Sequence, residues 1–362
     1  MSISTNKTLK KILTAFGFVA IILTFMPFIA VDYWWVRMFD YPHLQLTLLT
    51  AIAIATYFIT FNFKEYQDYV FVTVLIACFV VQAVKIYPYT AFAGYEVKAA
   101  SNGAKNLIKV YTANVLQKNK DMELLIAEVK EQDADILLFT EVDNQWQTEI
   151  NNAIGRRYNY KTSRPLDNTY GISFYSKLPL VDPKIDYLAS DSIPSVHTKV
   201  VLRSGDTIQL HGIHPTPPMP QENPKSTDRD AEMMKVAKMS LDSELPVIVL
   251  GDFNDVAWSQ TTRLFKNVSE LLDVRMGRGL FNTFNAKNMI MRWPLDHIFV
   301  SEHFRIVEVE RGSKINSDHF PFYTMLSFEP NKASEQVPEP ATKEEIKEAE
   351  EEIDKEQKTN SQ

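Results

Sequence analysis

The stretch Pro246-Val-Ile-Val-Leu-Gly-Asp-Phe-Asn-Asp255 constrains the fold of this chain more than any other. Four aliphatic residues, three of them β-branched, are too few for a helix and fit a strand buried on both faces, as in α/β folds. The run halts at Gly251, where the backbone has room to turn, and then presents Asp252 and Asn254. Open α/β sheets place their ligands at that carboxyl end, and a carboxylate with an amide oxygen two residues on offers hard donors suited to Mg²⁺. An Asx-rich turn after a core strand reads the same way, so the remaining motifs must decide.

The first 90 of the 362 residues differ from the rest in being strongly apolar. They hold three candidate membrane spans, about 12–31, 43–63 and 69–87, each near the ~20 residues a bilayer requires. Lys7, Lys10 and Lys11 precede the first, as they would in a cleaved signal peptide, but two further spans follow and no small-x-small cleavage site is evident. Trp34 and Trp35 between spans one and two suit a membrane interface. The amino-terminal lysines favour a cytoplasmic start, so three spans put everything beyond Thr90 outside the cytoplasm, in bacteria on the outer face of the inner membrane. The single cysteine, Cys78, lies in the third span, which excludes an intrachain disulfide and a cysteine metal site. Residues 91–106 read as a linker, 107–328 as one α/β domain and 329–362 as an acidic, disordered tail or lone charged helix.

Within 107–328 the polar residues fall at the ends of expected strands. The strand Leu107–Asn114 ends in an amide, and Asp135–Glu141 ends in a carboxylate. A hairpin turning at Ser204-Gly205 ends at His214, which Pro215-Thr-Pro-Pro-Met-Pro220 holds on a stiff loop. Asp296 opens another strand, and Asp318-His319 precede the last. Two histidines, several carboxylates and two amides, with no thiol, match metal-assisted hydrolysis of a phosphate ester.

Asn114, Glu141, Gly251-Asp-Phe-Asn254, Leu295-Asp-His-Ile298 and Ser317-Asp-His319 occur in the order seen in the endonuclease/exonuclease/phosphatase (deoxyribonuclease-I-like) superfamily, which the chain resembles from Ile108 to Phe328. With three spans, His214-Pro-Thr-Pro-Pro, Arg229-Asp-Ala231 and Gly277-Arg-Gly279, it looks like a bacterial membrane-anchored branch. The resemblance implies a four-layer α/β sandwich, two central sheets flanked by helices, and Mg²⁺ or Mn²⁺ as cofactor. It implies that Glu141, Asp318 and Asn114 hold the metal, with Asn114 also near the phosphate. Asp252 and Asn254 would orient water and hold a phosphate oxygen. His319, fixed by Asp296, would stabilise developing charge, and His214 would be the general acid. The proline run after His214 departs from the leucine common in many members.

Substrate is least determined. Between Asn106 and Glu329 there are 25 Lys and Arg against 30 Asp and Glu, whereas a nuclease gripping many phosphates normally shows a basic face. A domain at a membrane surface suits a phospholipid or lipid-linked phosphate, with Arg229, Arg275 and Arg278 as phosphate contacts. An extracytoplasmic nuclease of the same mechanism and a catalytically silent binding module are the alternatives.

Overall fold

The structure is a computed structural model describing residues 7–29 and 31–360. Residues 1–6, 30 and 361–362, which include both extremities of the expected anchor and tail, lie outside the described residues.

The apolar third forms α1 (Lys7–Phe25), a single turn α2 (Trp34–Arg37), α3 (His43–Tyr57) and α4 (Tyr66–Ile86). With their 3₁₀ extensions, α1, α3 and α4 are long and apolar enough to cross a membrane. Ala20, Ala53 and Leu75 are buried where the three helices meet. Gly17 permits the close approach, since a Cβ there would lie 2.5 Å from the Phe71 ring. Their outer faces expose Phe18, Ile22, Ile52, Val70 and Val84, an apolar surface of the kind that a bilayer covers.

The rest of the chain runs β1 (Leu107–Asn114), α5 (Glu123–Gln132), β2 (Ile136–Thr140), α6 (Asn144–Ile154), β3 (Tyr160–Arg164), β4 (Ile172–Ser176), β5 (Leu180–Asp186), β6 (Ser195–Val201), β7 (Thr207–Ile213), α7 (Thr227–Leu241), β8 (Val247–Asp252), α8 (Gln260–Ser269), β9 (Leu272–Asp273), β10 (Asp296–Val300), β11 (Phe304–Arg311), β12 (Phe322–Phe328) and α9 (Lys343–Asn360). Two six-stranded sheets, β11-β12-β1-β2-β4-β3 and β5-β6-β7-β8-β10-β9, face each other. Alternate residues such as Val110, Leu138, Val196, Leu210, Ile248 and Ile298 fill the space between them. Trp146 and Val129, on α6 and α5, cover the outside of the first sheet; Met233 and Phe265, on α7 and α8, cover the second. The four-layer α/β sandwich is therefore present, with β8 buried along its whole length.

Each sheet has one parallel pair at its centre, β1 with β2 and β7 with β8, so four strands present their carboxyl ends at one edge of the sandwich. Antiparallel β10 begins at that edge because Asp296 is paired with Asp252. Gly251 is not the turn that the sequence suggested. It sits inside β8 at φ 143°, where a Cβ would come within 2.0 Å of the Ile213 carbonyl; glycine lets β7 and β8 pass closely.

Two expectations about the flanks need correction. The tail is not disordered: α9 packs on α7 and α8, burying Ala349 beside Ile353. Lys235 pairs with Glu356 at 2.9 Å, and Asn267 donates to Glu345 at 2.6 Å. The high charge of this segment masks a narrow stripe, Ile346, Ala349 and Ile353, at helical spacing. Nor is 91–106 a free linker, since Val97 is fully buried in the core and Ala100 N–H donates to the Ile306 carbonyl at 2.8 Å.

His197 and His211 face each other across β6 and β7 with their Nδ1 atoms 2.7 Å apart, and Ser195 lies 2.8 Å from His197 Nε2. Burial pushes His197 down to about 4 and His211 to about 3, so both are neutral when folded, whereas the unfolded chain protonates them near 6.5. The unfolded state binds more protons between those values, so this contribution is present above pH 6.5 and fades as pH falls. The melting temperature of the full chain should therefore drop between pH 6.5 and 4. His211→Gln should flatten that slope, and an unchanged slope would exclude the pair as its source.

Candidate catalytic centre

At the edge where the central strands end, six side chains converge. Asp252 is the hub: its Oδ2 accepts from Asn114 Nδ2 at 3.0 Å, lies 3.5 Å from His319 Nε2 and lies 3.7 Å from His214 Nε2. Its Oδ1 accepts from the Asn254 backbone N–H at 3.1 Å. On the opposite side of its ring, His319 Nδ1 is 2.8 Å from Asp296 Oδ2. Asn114 also donates to Glu141 Oε1 at 2.9 Å, and Gln117 N–H binds Glu141 Oε2 at 3.1 Å. Glu141 and Asn254 both hold left-handed backbone, φ 60° and 50°, a strained state that surrounding bonds must maintain and that clusters at functional sites.

The two histidines differ in charge. Burial would depress His319, but Asp252 and Asp296 outweigh it and push the imidazole up to about 10, so it is a cation at neutral pH. His214 is pushed down to about 4 by burial, only partly opposed by Asp252, and is neutral. The Asp252 and Glu141 carboxyls are raised, in both cases chiefly by burial.

Asp252, Asp296 and His319 lie close enough together to hold an ion by distance alone. Yet the His319 Nδ1 is already hydrogen-bonded and the ring is protonated, so it has no lone pair to give. A second candidate for holding a cation is Glu141 with Asp318. Asp318 Oδ1 is buried without a hydrogen-bond partner, its charge acts on Glu141 alongside that of His319, and neighbouring carboxylates suit a hard divalent ion. Asn114 Oδ1, expected as a ligand, accepts from the Leu116 N–H at 2.9 Å and keeps a second lone pair, while its Nδ2 donates to two carboxylates and orients them.

The expected arginines do not reach the site. Arg229 is 1% exposed and lies beneath it, 2.7 Å from Asp230 and 3.4 Å from Asp255. Arg275 is fully buried, donates to the Asp296 carbonyl at 2.6 Å and stacks on Phe322. Arg278 lies over the Tyr95 ring at 4.2 Å. Carboxylates near in sequence, Asp230 and Asp273, and distant partners that only the fold supplies, Asp255, Phe322 and Tyr95, engage these guanidinium groups. His297, within Leu-Asp-His-Ile, is a buried strut whose Nε2 is 2.9 Å from the Asp255 carbonyl.

A cavity of about 570 Å³ stands over the constellation. Its floor holds Asn114, Glu141, His214, Asp252, Asn254, Asp318 and His319, and its walls include Met219, Phe284, Met291 and Trp293. Trp34, Met38, Tyr41 and Pro42, from the turn between the first two apolar helices, close one side. Sequence reasoning missed this wall; the aromatic cluster at 33–35 was the available signal.

The profile of the Endonuclease/Exonuclease/phosphatase family matches residues 110–319. No curated protein matches the chain. Among solved structures, the chain is similar to an endonuclease/exonuclease/phosphatase from Beutenbergia cavernae, with 14% identity over 62% of this chain and 72% of that one at TM-score 0.50. It is similar to D. rerio TDP2 complexed with single strand DNA product, with 14% identity over 61% and 99% at TM-score 0.50. It also resembles the human Nocturnin catalytic domain, with 17% identity over 62% and 95% at TM-score 0.49. At such identities these likenesses concern the fold alone. With the family profile spanning more than half of its length, the chain belongs to the Endonuclease/Exonuclease/phosphatase family, hydrolases of phosphate esters.

Proposed function

We propose that this protein is a membrane-anchored, divalent-metal-dependent phosphoesterase that cleaves a phosphodiester or phosphoanhydride in a phospholipid or lipid-linked phosphate. In this reading it sits in the bacterial inner membrane with the catalytic domain on the extracytoplasmic side. The observation that carries it is the cavity: a floor of phosphate-cleaving groups under a mouth built from apolar side chains of the anchor and its neighbours. The rim segment Met289-Ile-Met291 is exposed at 87%, 74% and 42%. Its Ile290 carbonyl accepts from Gln45 Nε2 at 2.6 Å, level with the first turn of α3. An apolar rim at the level of a membrane helix suits a substrate whose phosphate reaches the floor while its tail stays in lipid.

Glu141 and Asp318 would hold Mg²⁺ or Mn²⁺, with Asn114 orienting them; when bound, the ion neutralises phosphoryl oxygens and polarises the scissile bond. Asp252 positions the attacking water, and the His319 cation, held by Asp296, meets the charge that develops on phosphorus-bound oxygen. Asn254 holds a further phosphoryl oxygen. A neutral His214 carries one N–H, a weak acid but a good hydrogen-bond donor, so it is placed to donate to a phosphoryl oxygen, and it acts as the expected general acid only where bound phosphate raises its pKa.

The test is hydrolysis by the full-length chain in nanodiscs, with Mg²⁺ or Mn²⁺ and with chelator. The panel holds sphingomyelin, a glycerophospholipid, a polyprenyl pyrophosphate, inositol phosphates, duplex DNA and single-stranded RNA. Metal-dependent cleavage of lipid substrates with weak salt dependence is expected. Cleavage of nucleic acid alone, weakening steeply with salt, would replace the lipid reading by the nuclease. No turnover despite bound metal would favour a silent binding module.

A further inference from the structure

We propose that the turn between the first two apolar helices is a working part of the catalytic centre, with Tyr41 as the positioning residue that holds Asn254. This rests on the phosphoesterase reading above and goes beyond it: the anchor does more than tether the domain.

Asn254 is strained, and four hydrogen bonds keep it so. Its N–H donates to Asp252 at 3.1 Å, and its Nδ2 donates to the Pro215 carbonyl at 2.9 Å. Its own carbonyl accepts from Arg229 Nη1 at 3.1 Å and from the Tyr41 hydroxyl at 2.7 Å. The first three partners belong to the catalytic domain; the fourth arrives from the anchor, 213 residues away in sequence. Tyr41 is fixed in turn, its ring edge-on to Trp293 at 5.7 Å within the cavity wall. The same turn is clamped to the domain by Trp258 Nε1, which donates to the Asp40 carbonyl at 2.7 Å. The anchor thus helps to fix the left-handed backbone of Asn254 from its carbonyl side, and through that residue the Asn254 side chain and the N–H that holds the Asp252 carboxylate.

A substrate too small to touch the bilayer should therefore still depend on the anchor. Tyr41→Phe keeps the ring and removes one bond. Tyr89→Phe is the matched control, because the Tyr89 hydroxyl makes the same kind of bond, 2.5 Å to the Ala257 carbonyl, from the end of the third apolar helix. Full-length protein in nanodiscs is assayed on bis(4-nitrophenyl) phosphate with Mg²⁺. Hydrogen–deuterium exchange is followed in parallel for the peptide Asp252–Trp258. Tyr41→Phe should lower kcat about 10-fold with KM within about twofold, as loss of one bond plus slight misplacement predicts, and exchange should quicken. Tyr89→Phe should keep kcat near wild type. Wild-type kcat in Tyr41→Phe, or equal losses in both variants, would overturn the proposal, the latter by indicating general loosening. If the wild type cleaves no phosphodiester or phosphoanhydride, the phosphoesterase reading fails instead. Exchange then judges the Tyr41 contact alone, and no quickening would overturn it.

Discussion

His319→Ala should reduce hydrolysis by roughly 10³-fold or more, the range for removing a positioned acid–base group or a charge-stabilising donor from such a site. The imidazole lies between Asp296 Oδ2 at 2.8 Å and Asp252 Oδ2 at 3.5 Å. The two carboxylates hold it protonated up to about pH 10. In the proposed mechanism it is a fixed cation through the working range, placed before the reaction begins, and would stabilise developing negative charge without reorganisation. Removing it also leaves two buried carboxylates facing each other, so His319→Gln, which keeps polar bulk, accompanies it. Glu141→Gln is the complementary variant. It keeps an amide in the network of Asn114 and the Gln117 N–H but removes a charge from the cation pole, so activity and metal affinity should both collapse. His319→Ala, by contrast, should lose turnover while binding metal within a few-fold of wild type. Kinetics with calorimetric metal titration separate the two. Near wild-type turnover in either variant, with metal bound normally, would sink the assignment of this edge as the catalytic centre.

That edge was legible because its residues follow the strongest local signals. Asn114, Glu141, His214 and Asp252 each terminate or immediately follow an apolar run, and parallel pairing of β1 with β2 and β7 with β8 brings the four ends together. The strands that sequence reasoning missed are peripheral. β3 is mostly exposed and lacks an apolar rhythm, β5 carries Pro183 and a register shift, and β11 has a bulge near Val307. Partners distant in sequence were harder still. Nothing near Arg229 announces Asp255, and nothing in Asp40-Tyr-Pro42 announces Asn254; the first pairing exists because α7 packs beside the β8–α8 turn, the second because the turn between the first two apolar helices meets it. Cations expected to greet phosphate are instead structural, which leaves the cavity apolar at its mouth.

The same misplacement makes Arg229→Met the most damaging structural change expected. Arg229 is 1% exposed and is caged by Asp230 at 2.7 Å, Asp255 at 3.4 Å and the Asn254 carbonyl. Removing one partner of a buried ionic cluster leaves uncompensated charge, which costs about 3–5 kcal/mol. For a domain of this size that corresponds to a fall in melting temperature of roughly 10 °C. Burial already raises the Asp255 carboxyl, and Arg229 is the largest influence opposing it. In the variant that opposition is gone, so the folded state takes up a proton more readily than the unfolded chain. The destabilisation should then be full at neutral pH and shrink as pH is lowered, while Arg229→Met with Asp255→Asn should recover part of it at pH 7. A phosphate-contacting arginine would behave differently, with raised KM, an unchanged melting temperature and no rescue from Asp255. Melting curves of the full chain at pH 7 and pH 5 distinguish the two, and an unshifted midpoint at pH 7 would return Arg229 to the substrate.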